Sequence, residues 1–241
     1  MTDQNPKLEN LYKNAFKSEK VIKTYRTWID LMPTENNLIK KYFNDKNSKI
    51  LDIGCGAGRI SYNLNKMGYD VIGIDISEPM IYLAKKLYPN LKFEIGDTCD
   101  LRFAANYFNY VIFSFNGLDA IYPKEKRISA LKEINRVLKK GGIFLFSSHN
   151  SFAIISRKKY FYKWIFIFLY INLKHRRKIS HYMYDYLRRE KIKILHYFNS
   201  YLHVKKQLQQ NGFKLIEVQG VEFKSFLKYF EPWPYFIAKK V

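Results

Sequence analysis

Apolar positions along the chain change their period at residue 49. Before it they recur at helical spacing: Val21, Tyr25, Trp28 and Ile29, then Leu38, Ile39, Tyr42 and Phe43. Pro33 separates the two sets, and Thr34 is placed to cap the second helix. Residues 1–48 therefore read as a helical cap on a larger fold. From Lys49 short runs of branched apolar residues take over: Lys49–Ile53, Asp70–Ile76, Leu91–Ile95, Tyr110–Phe115 and Ile143–Ser147. Helical patterns fill the gaps. One starts near Arg59, one follows Ser77 as N-cap, and one runs from Lys124 to Lys139 and stops at Gly141-Gly142. A last helix is expected from about Ser200 to Gln210, followed by strands Phe213–Val218 and Tyr235–Lys239. Strands alternating with helices predict an α/β fold, a mostly parallel sheet joined by right-handed crossovers. Residues 1–241 are expected to form a single domain.

Residues 151–197 break this rhythm and change the picture of the surface. They hold 12 Lys and Arg against Asp185 and Glu190, so they carry +10 of the chain's +21. They also hold 12 of its aromatic residues, among them Tyr160, Phe161, Tyr162, Trp164, Phe166, Phe168 and Tyr170. We expect a helical insert or lid here, suited to an anionic partner. The stretch Tyr160–Leu173 is apolar but interrupted by Lys163 and Asn172. Its 14 residues fall short of the ~20 needed to span a bilayer, although residues 160–178 suit peripheral contact with anionic headgroups. The polar start, MTDQNPKLEN, has no signal-peptide core, and a cytoplasmic, reducing setting is expected. Cys55 and Cys99 lie in no Cys/His cluster, so no metal site is expected.

The chemistry is concentrated in Ile50-Leu-Asp-Ile-Gly-Cys-Gly-Ala-Gly-Arg59. A strand runs into three glycines and then into a helix N-terminus, which is the arrangement of a nucleotide-type cofactor loop. The spacing G-x-G-x-G, with Arg59 in place of a third dinucleotide-type glycine, points away from a nicotinamide cofactor. Asp52 before the loop and Gly96-Asp97-Thr98 after the third strand add polar groups at neighbouring strand ends.

In these segments the chain resembles class I S-adenosylmethionine-dependent methyltransferases. Ile50–Arg59 looks like their first motif, Val71–Ser77 their second, Gly96-Asp97-Thr98 the adenine-contacting motif, and Tyr110–Asn116 the fourth-strand motif. Leu138–Phe146 and Gln209–Ile216 resemble later segments. The resemblance implies a Rossmann-like sheet of seven strands ending in an antiparallel hairpin, with S-adenosyl-L-methionine as cofactor. It implies that Gly54, Gly56 and Gly58 lie along the methionine and ribose, and that Asp75 accepts from the ribose hydroxyls. Ile76 and Met80 would flank the adenine, Asp97 and Thr98 would meet its amino edge, and Phe115 and Asn116 would close the methionine end. Tyr12 and Tyr25 are candidates to cover the cofactor.

Acceptor chemistry is less legible. Strand four ends Ser114-Phe-Asn-Gly117, without the Asx-Pro-Pro-aromatic or Pro-Cys signatures of nucleic-acid base methylation. Candidate catalytic residues are His149 just past strand five, His196, Asn116 and Asp119. A small, anionic acceptor methylated on O or N is expected: a sugar nucleotide, a glycan intermediate, or a lipid or quinone precursor. The alternatives are an RNA methyltransferase that clamps its substrate with the basic insert, or a non-catalytic membrane- or partner-binding protein of the same fold.

Overall fold

The computed structural model describes residues 25–153, 182–187, 192–223 and 225–241. Tyr12 and the Tyr160–Leu173 stretch lie outside them. In chain order the elements are α1 Pro33–Tyr42, β1 Lys49–Ile53, α2 Arg59–Lys66, β2 Asp70–Asp75, α3 Glu78–Leu87, β3 Lys92–Ile95, β4 Phe108–Phe113, α4 Lys124–Val137, β5 Leu138–Ser147, β6 His149–Asn150, β7 Tyr182–Leu187, β8 Ile192–Asn199, α5 Tyr201–Gln210, β9 Phe213–Gln219 and β10 Tyr235–Lys240. Short 3-10 turns occupy Gly117–Ala120 and Ser225–Phe230.

Seven strands form one sheet in the order β3-β2-β1-β4-β5-β10-β9. The first five are parallel, and β10 runs antiparallel between β5 and β9. Strand order reverses between β1 and β4, so a crevice opens at the carboxyl ends of those two strands, where open α/β sheets bind ligands. Side chains alternate across the sheet. Leu51, Val111, Phe144 and Phe236 face α4 and α5, in a core with Leu131, Ile134, Val204 and Leu208. Ile50, Ile112, Leu145 and Ile237 face α1 and α2, packing on Leu38, Ile39, Ile60 and Leu64. Two covered faces explain why the central strands read as continuous apolar runs.

Several boundaries differ from the sequence pattern for identifiable reasons. The N-cap of α1 is Met32 with Pro33 in the first position, and Glu35 accepts the Met32 N–H at 2.9 Å, so Thr34 sits inside the first turn. Helix α4 stops at Val137, and β5 already begins at Leu138, which pairs with Phe108. Gly141, at φ +78°, lies within that strand rather than at a helix end. Strand β4 ends at Phe113, releasing Ser114–Asn116 into a turn in which Phe115 and Asn116 have φ of 52° and 56°.

The insert also departs from its helical expectation. Its described part is an antiparallel hairpin, β7 with β8, joined to the body through β6. The sequence carries the reason: tyrosines at 182, 184 and 186 and isoleucines at 192 and 194 recur at every second position, a strand period of β-favouring residues. No helix among the described residues is long and apolar enough to cross a membrane.

Candidate active site

The loop after β1 is shaped by backbone conformations that only glycine adopts without strain. Gly54, Gly56 and Gly58 have φ of +62°, +54° and +88°. A Cβ on Gly54 would stand 2.8 Å from the Phe113 ring, and one on Gly58 2.7 Å from the Phe93 ring. At Gly56 only the Tyr25 ring comes within reach, at 3.7 Å, so this residue faces open space. Asp75, at the end of β2, holds the loop from the side. Its Oδ2 accepts the Gly56 N–H at 2.9 Å, and its Oδ1 accepts the Ser77 N–H at 2.8 Å. Burial pushes the Asp75 carboxyl above its usual range, and these N–H donors work against that shift.

Asp52 fixes the loop from below. One of its oxygens accepts both the Ser61 N–H at 3.0 Å and the Ser61 hydroxyl at 2.7 Å, which ties β1 to the first turn of α2. Burial pushes the Asp52 carboxyl up to about 7, despite Ser61 and nearby Arg59. This is an acid short of a counter-charge. The Cys55 thiol is likewise driven well up by burial, so it is no thiolate nucleophile.

Arg59, where the glycine pattern breaks, opens α2 and runs to Glu35 of α1. Its two terminal nitrogens donate to the two Glu35 oxygens at 2.7 and 2.9 Å, and one also meets the Asp30 carbonyl at 2.9 Å. Glu35 further accepts from the Tyr235 hydroxyl at 3.0 Å and from Ser114. Burial alone would push the Glu35 carboxyl up, but the paired guanidinium and these donors outweigh it and hold it below the usual range. The Tyr235 hydroxyl is raised by burial and by the Glu35 charge. The guanidinium also lies 4.7 Å from the Phe115 ring centroid and 5.3 Å from that of Trp28, whose rings meet edge-on at 4.5 Å.

Across the crevice, the ends of β4 and β5 present side chains. Asn116 donates its N–H to Ser147 Oγ at 2.9 Å, and its Oδ1 is buried without a partner in the protein. Asp119, fully buried, accepts the His149 N–H at 2.6 Å and lies 3.2 Å from His149 Nδ1. Its other oxygen accepts from Ser148 at 3.0 Å and lies 3.1 Å from an Arg127 terminal nitrogen. The His149 ring stacks on His196 with centroids 4.4 Å apart.

A cavity of about 450 Å³ joins these two ends, a size in the ordinary range for a small-ligand site. Of the residues expected from the sequence, Gly54, Gly56, Asp75, Phe115, Asn116, His149 and His196 share its wall, as does Tyr25. Gly58, Ile76, Met80, Asp97 and Thr98 are not on it. Met80 is completely buried in the core. Asp97 is exposed one strand further along, where its Oδ1 accepts the Cys99 N–H at 2.8 Å. Gly96 donates to the Asp75 carbonyl at 3.0 Å and so keeps that turn beside β2. Asp119, read from the sequence as a base, is sealed behind His149 rather than on the wall. Among the described residues no His/Cys/Asp/Glu group is placed to hold a metal.

The wall also holds residues the sequence pattern did not single out: Trp28, Ser114, Glu222, Glu231, Trp233 and Tyr235. Two supporting charges, Glu35 and Arg127, had a readable signal. Each occupies an apolar-stripe position of its helix, Glu35 with Leu38 and Ile39, Arg127 with Ala130, Leu131 and Ile134. A charged residue in a buried stripe implies a buried partner.

A family model described as a methyltransferase domain matches residues 44–199. The uncharacterized protein MJ1252 of Methanocaldococcus jannaschii is 32% identical over 217 residues, which cover 86% of this chain and 81% of that protein. A demethylmenaquinone methyltransferase of Staphylococcus saprophyticus is 35% identical over 127 residues, and the match spans only 50% of either protein. The crystal structure of an S-adenosylmethionine-dependent methyltransferase from Methanosarcina mazei has the same fold, with a TM-score of 0.69 at 20% identity, covering 88% of this chain and 99% of that one.

Proposed function

The chain belongs to the methyltransferase-domain family, with S-adenosylmethionine as its cofactor, and we propose that it methylates an oxygen or nitrogen of a small acceptor bearing a ring or other apolar part. The observation that carries this reading is the single cavity running from the glycine loop and Asp75 to His149 and His196. One end suits a cofactor and the other an acceptor, as an in-line transfer requires.

The residues present fit the cofactor. Gly56 leaves space where a side chain would intrude, and Asp75 keeps carboxylate lone pairs on the cavity wall for a vicinal diol. Asp52, an under-compensated acid, suits a cationic group, and the unpartnered Asn116 Oδ1 suits a donor. In this reading Gly54, Gly56 and Gly58 line the methionine and ribose, and Phe115 and Asn116 close the methionine end. Ile76, Asp97 and Thr98 form the adenine edge beyond the cavity wall. Bound S-adenosylmethionine supplies a methyl group already activated on a sulfonium. The protein's own work is to align the acceptor, exclude water and accept a proton.

The described wall bears Asp52, Asp75, Glu222 and Glu231 against Arg59, which is already paired with Glu35. An anionic part of the acceptor would therefore have to be met by the basic residues between 157 and 193 rather than by this wall. Trp28, Phe115 and Trp233 on the wall favour a flat apolar portion. With a relative named for demethylmenaquinone, they favour a quinone precursor over a sugar nucleotide.

Calorimetry should find micromolar binding of S-adenosylmethionine, and a labelled cofactor offered to a metabolite pool should mark a small molecule. No heat of binding would remove the cofactor assignment. Label recovered in RNA instead of the small-molecule fraction would remove the acceptor class.

A further inference from the structure

We infer that Asp119 and Arg127 are positioning residues that hold His149 with its Nδ1 protonated and its Nε2 as a base, and that the methylated atom is a hydroxyl oxygen. The inference rests on the methyltransferase reading above and narrows it. It starts from one carboxylate. Asp119 sits on the 3-10 turn Gly117–Ala120, with no exposed surface. One oxygen, Oδ2, faces His149 twice, through the backbone N–H at 2.6 Å and through ring Nδ1 at 3.2 Å. An ionised carboxylate oxygen only accepts, so the ring nitrogen opposite it is the donor. The proton then lies on Nδ1, and the lone pair of the neutral ring lies on Nε2.

The other oxygen is held by a hydroxyl and a guanidinium. Ser148 donates to Oδ1 at 3.0 Å, and Arg127 Nη1 lies 3.1 Å away. Arg127 is itself held from three elements. Its Nη1 donates to the Leu118 carbonyl at 2.8 Å, its Nη2 reaches Gln207 of α5 at 3.4 Å, and its guanidinium lies 4.9 Å from the ring centroid of Tyr197 on β8. On the cavity side His196 stacks on the His149 ring, and Phe198 also packs against that ring at 4.9 Å between centroids, off the cavity wall. Asp119, Arg127 and His196 are among the charged or titratable groups that bear on this ring.

A loop needs less than this. Asp119 could hold the 148–149 backbone and Ser148 with no imidazole in line and no arginine behind. A fully buried ion pair costs desolvation that an apolar pair of similar volume would avoid. The added groups all bear on one ring at the acceptor end of the cavity. A neutral amine brings its own lone pair and needs no base, whereas a hydroxyl must lose its proton as it reacts. A fixed base therefore selects a hydroxyl. As the acceptor oxygen bonds the methyl carbon, its proton passes to His149 Nε2 and the carbon–sulfur bond breaks, with its electron pair staying on sulfur.

The test begins with the intact, unmodified protein. Histidine-selective ¹⁵N NMR without cofactor should show Nδ1 of His149 protonated and Nε2 unprotonated at neutral pH. The opposite tautomer overturns the proposal whatever the cofactor does. In the labelled-pool assay Asp119→Asn should lower kcat by about 100- to 10,000-fold. The KM for S-adenosylmethionine should stay within about twofold. Unchanged kcat, or a product methylated on nitrogen, overturns it as well. Failure of the methyltransferase reading would look different: cofactor binding would be absent in the unmodified protein.

Discussion

The crevice between β1 and β4 has two walls made in different ways. On the cofactor side the shape comes from backbone: three glycines in left-handed conformations, with Asp75 accepting from main-chain N–H groups. On the acceptor side it comes from side chains that converge from distant parts of the chain: Asp119, Arg127, His149 and His196, with Trp28 and Trp233 on the same cavity wall. A backbone-built wall has little freedom of sequence, because a side chain at Gly54 or Gly58 would meet both a strained φ and a ring within 3 Å. A side-chain wall can be rebuilt for a different acceptor without disturbing the fold. Conserving one substrate while exchanging the other is the natural use of such a division.

Four substitutions or conditions sharpen or break this contrast. The largest effect should fall on the acceptor wall. His149→Ala is expected to lower turnover in the labelled-pool assay by about 100- to 10,000-fold while cofactor affinity moves less than about twofold. A parallel loss of cofactor affinity would mean that the two walls are not separable. Next is Asp75→Ala, which removes charge-assisted hydrogen bonds of about 1.5–3 kcal/mol. That is a weakening of cofactor binding by about 10- to 100-fold, read by calorimetry. Third, Gly58→Ala adds one methyl group to a residue at φ +88°, against the Phe93 and Tyr88 rings. It should cost about 1–3 kcal/mol in urea unfolding. If it costs nothing, the cofactor wall is softer than its geometry implies.

The last test is a pH dependence, spread over about three pH units rather than concentrated in one substitution. Asp52 has a folded-state value raised to about 7, against an ordinary carboxyl value near 4 in the unfolded chain. Between these limits the folded protein holds the extra proton, so stability should fall as pH rises from about 4 to about 7. The slope is at most about 1.4 kcal/mol per pH unit, and Asp52→Asn should flatten it. A slope of the opposite sign would show that Asp52 has a cationic partner after all.

The same division explains what could be read from the sequence. The glycine loop and the strand–helix alternation were legible because local conformation dictates residue type at fixed spacing, and Asp75 because its segment resembles a family motif. Seven strands followed from periodicity, and the antiparallel end from the family resemblance. The hairpin β7–β8 was obscured by its charge and aromatic content, although its period of two is there to be counted. The role of Asp119 was not legible. A carboxylate beside His149 and one behind it look alike until Arg127, 8 residues on, is brought to its other oxygen. Met80 lies at the start of α3 with its side chain packed inward, which its sequence position alone does not reveal.

The buried knot of Glu35, Arg59, Ser114 and Tyr235 bears on the order of assembly. Its members come from α1, from the start of α2, from the turn after β4, and from β10. Strand β10 follows every other described strand in synthesis yet takes a place between β5 and β9. Until it docks, Tyr235 cannot reach Glu35, and the cap that carries Trp28 has a looser hold on Arg59 at the cofactor loop. The two sequence extremes of the described fold thus close on one carboxylate, Glu35, which takes the Arg59 guanidinium on one side and the Tyr235 hydroxyl on the other.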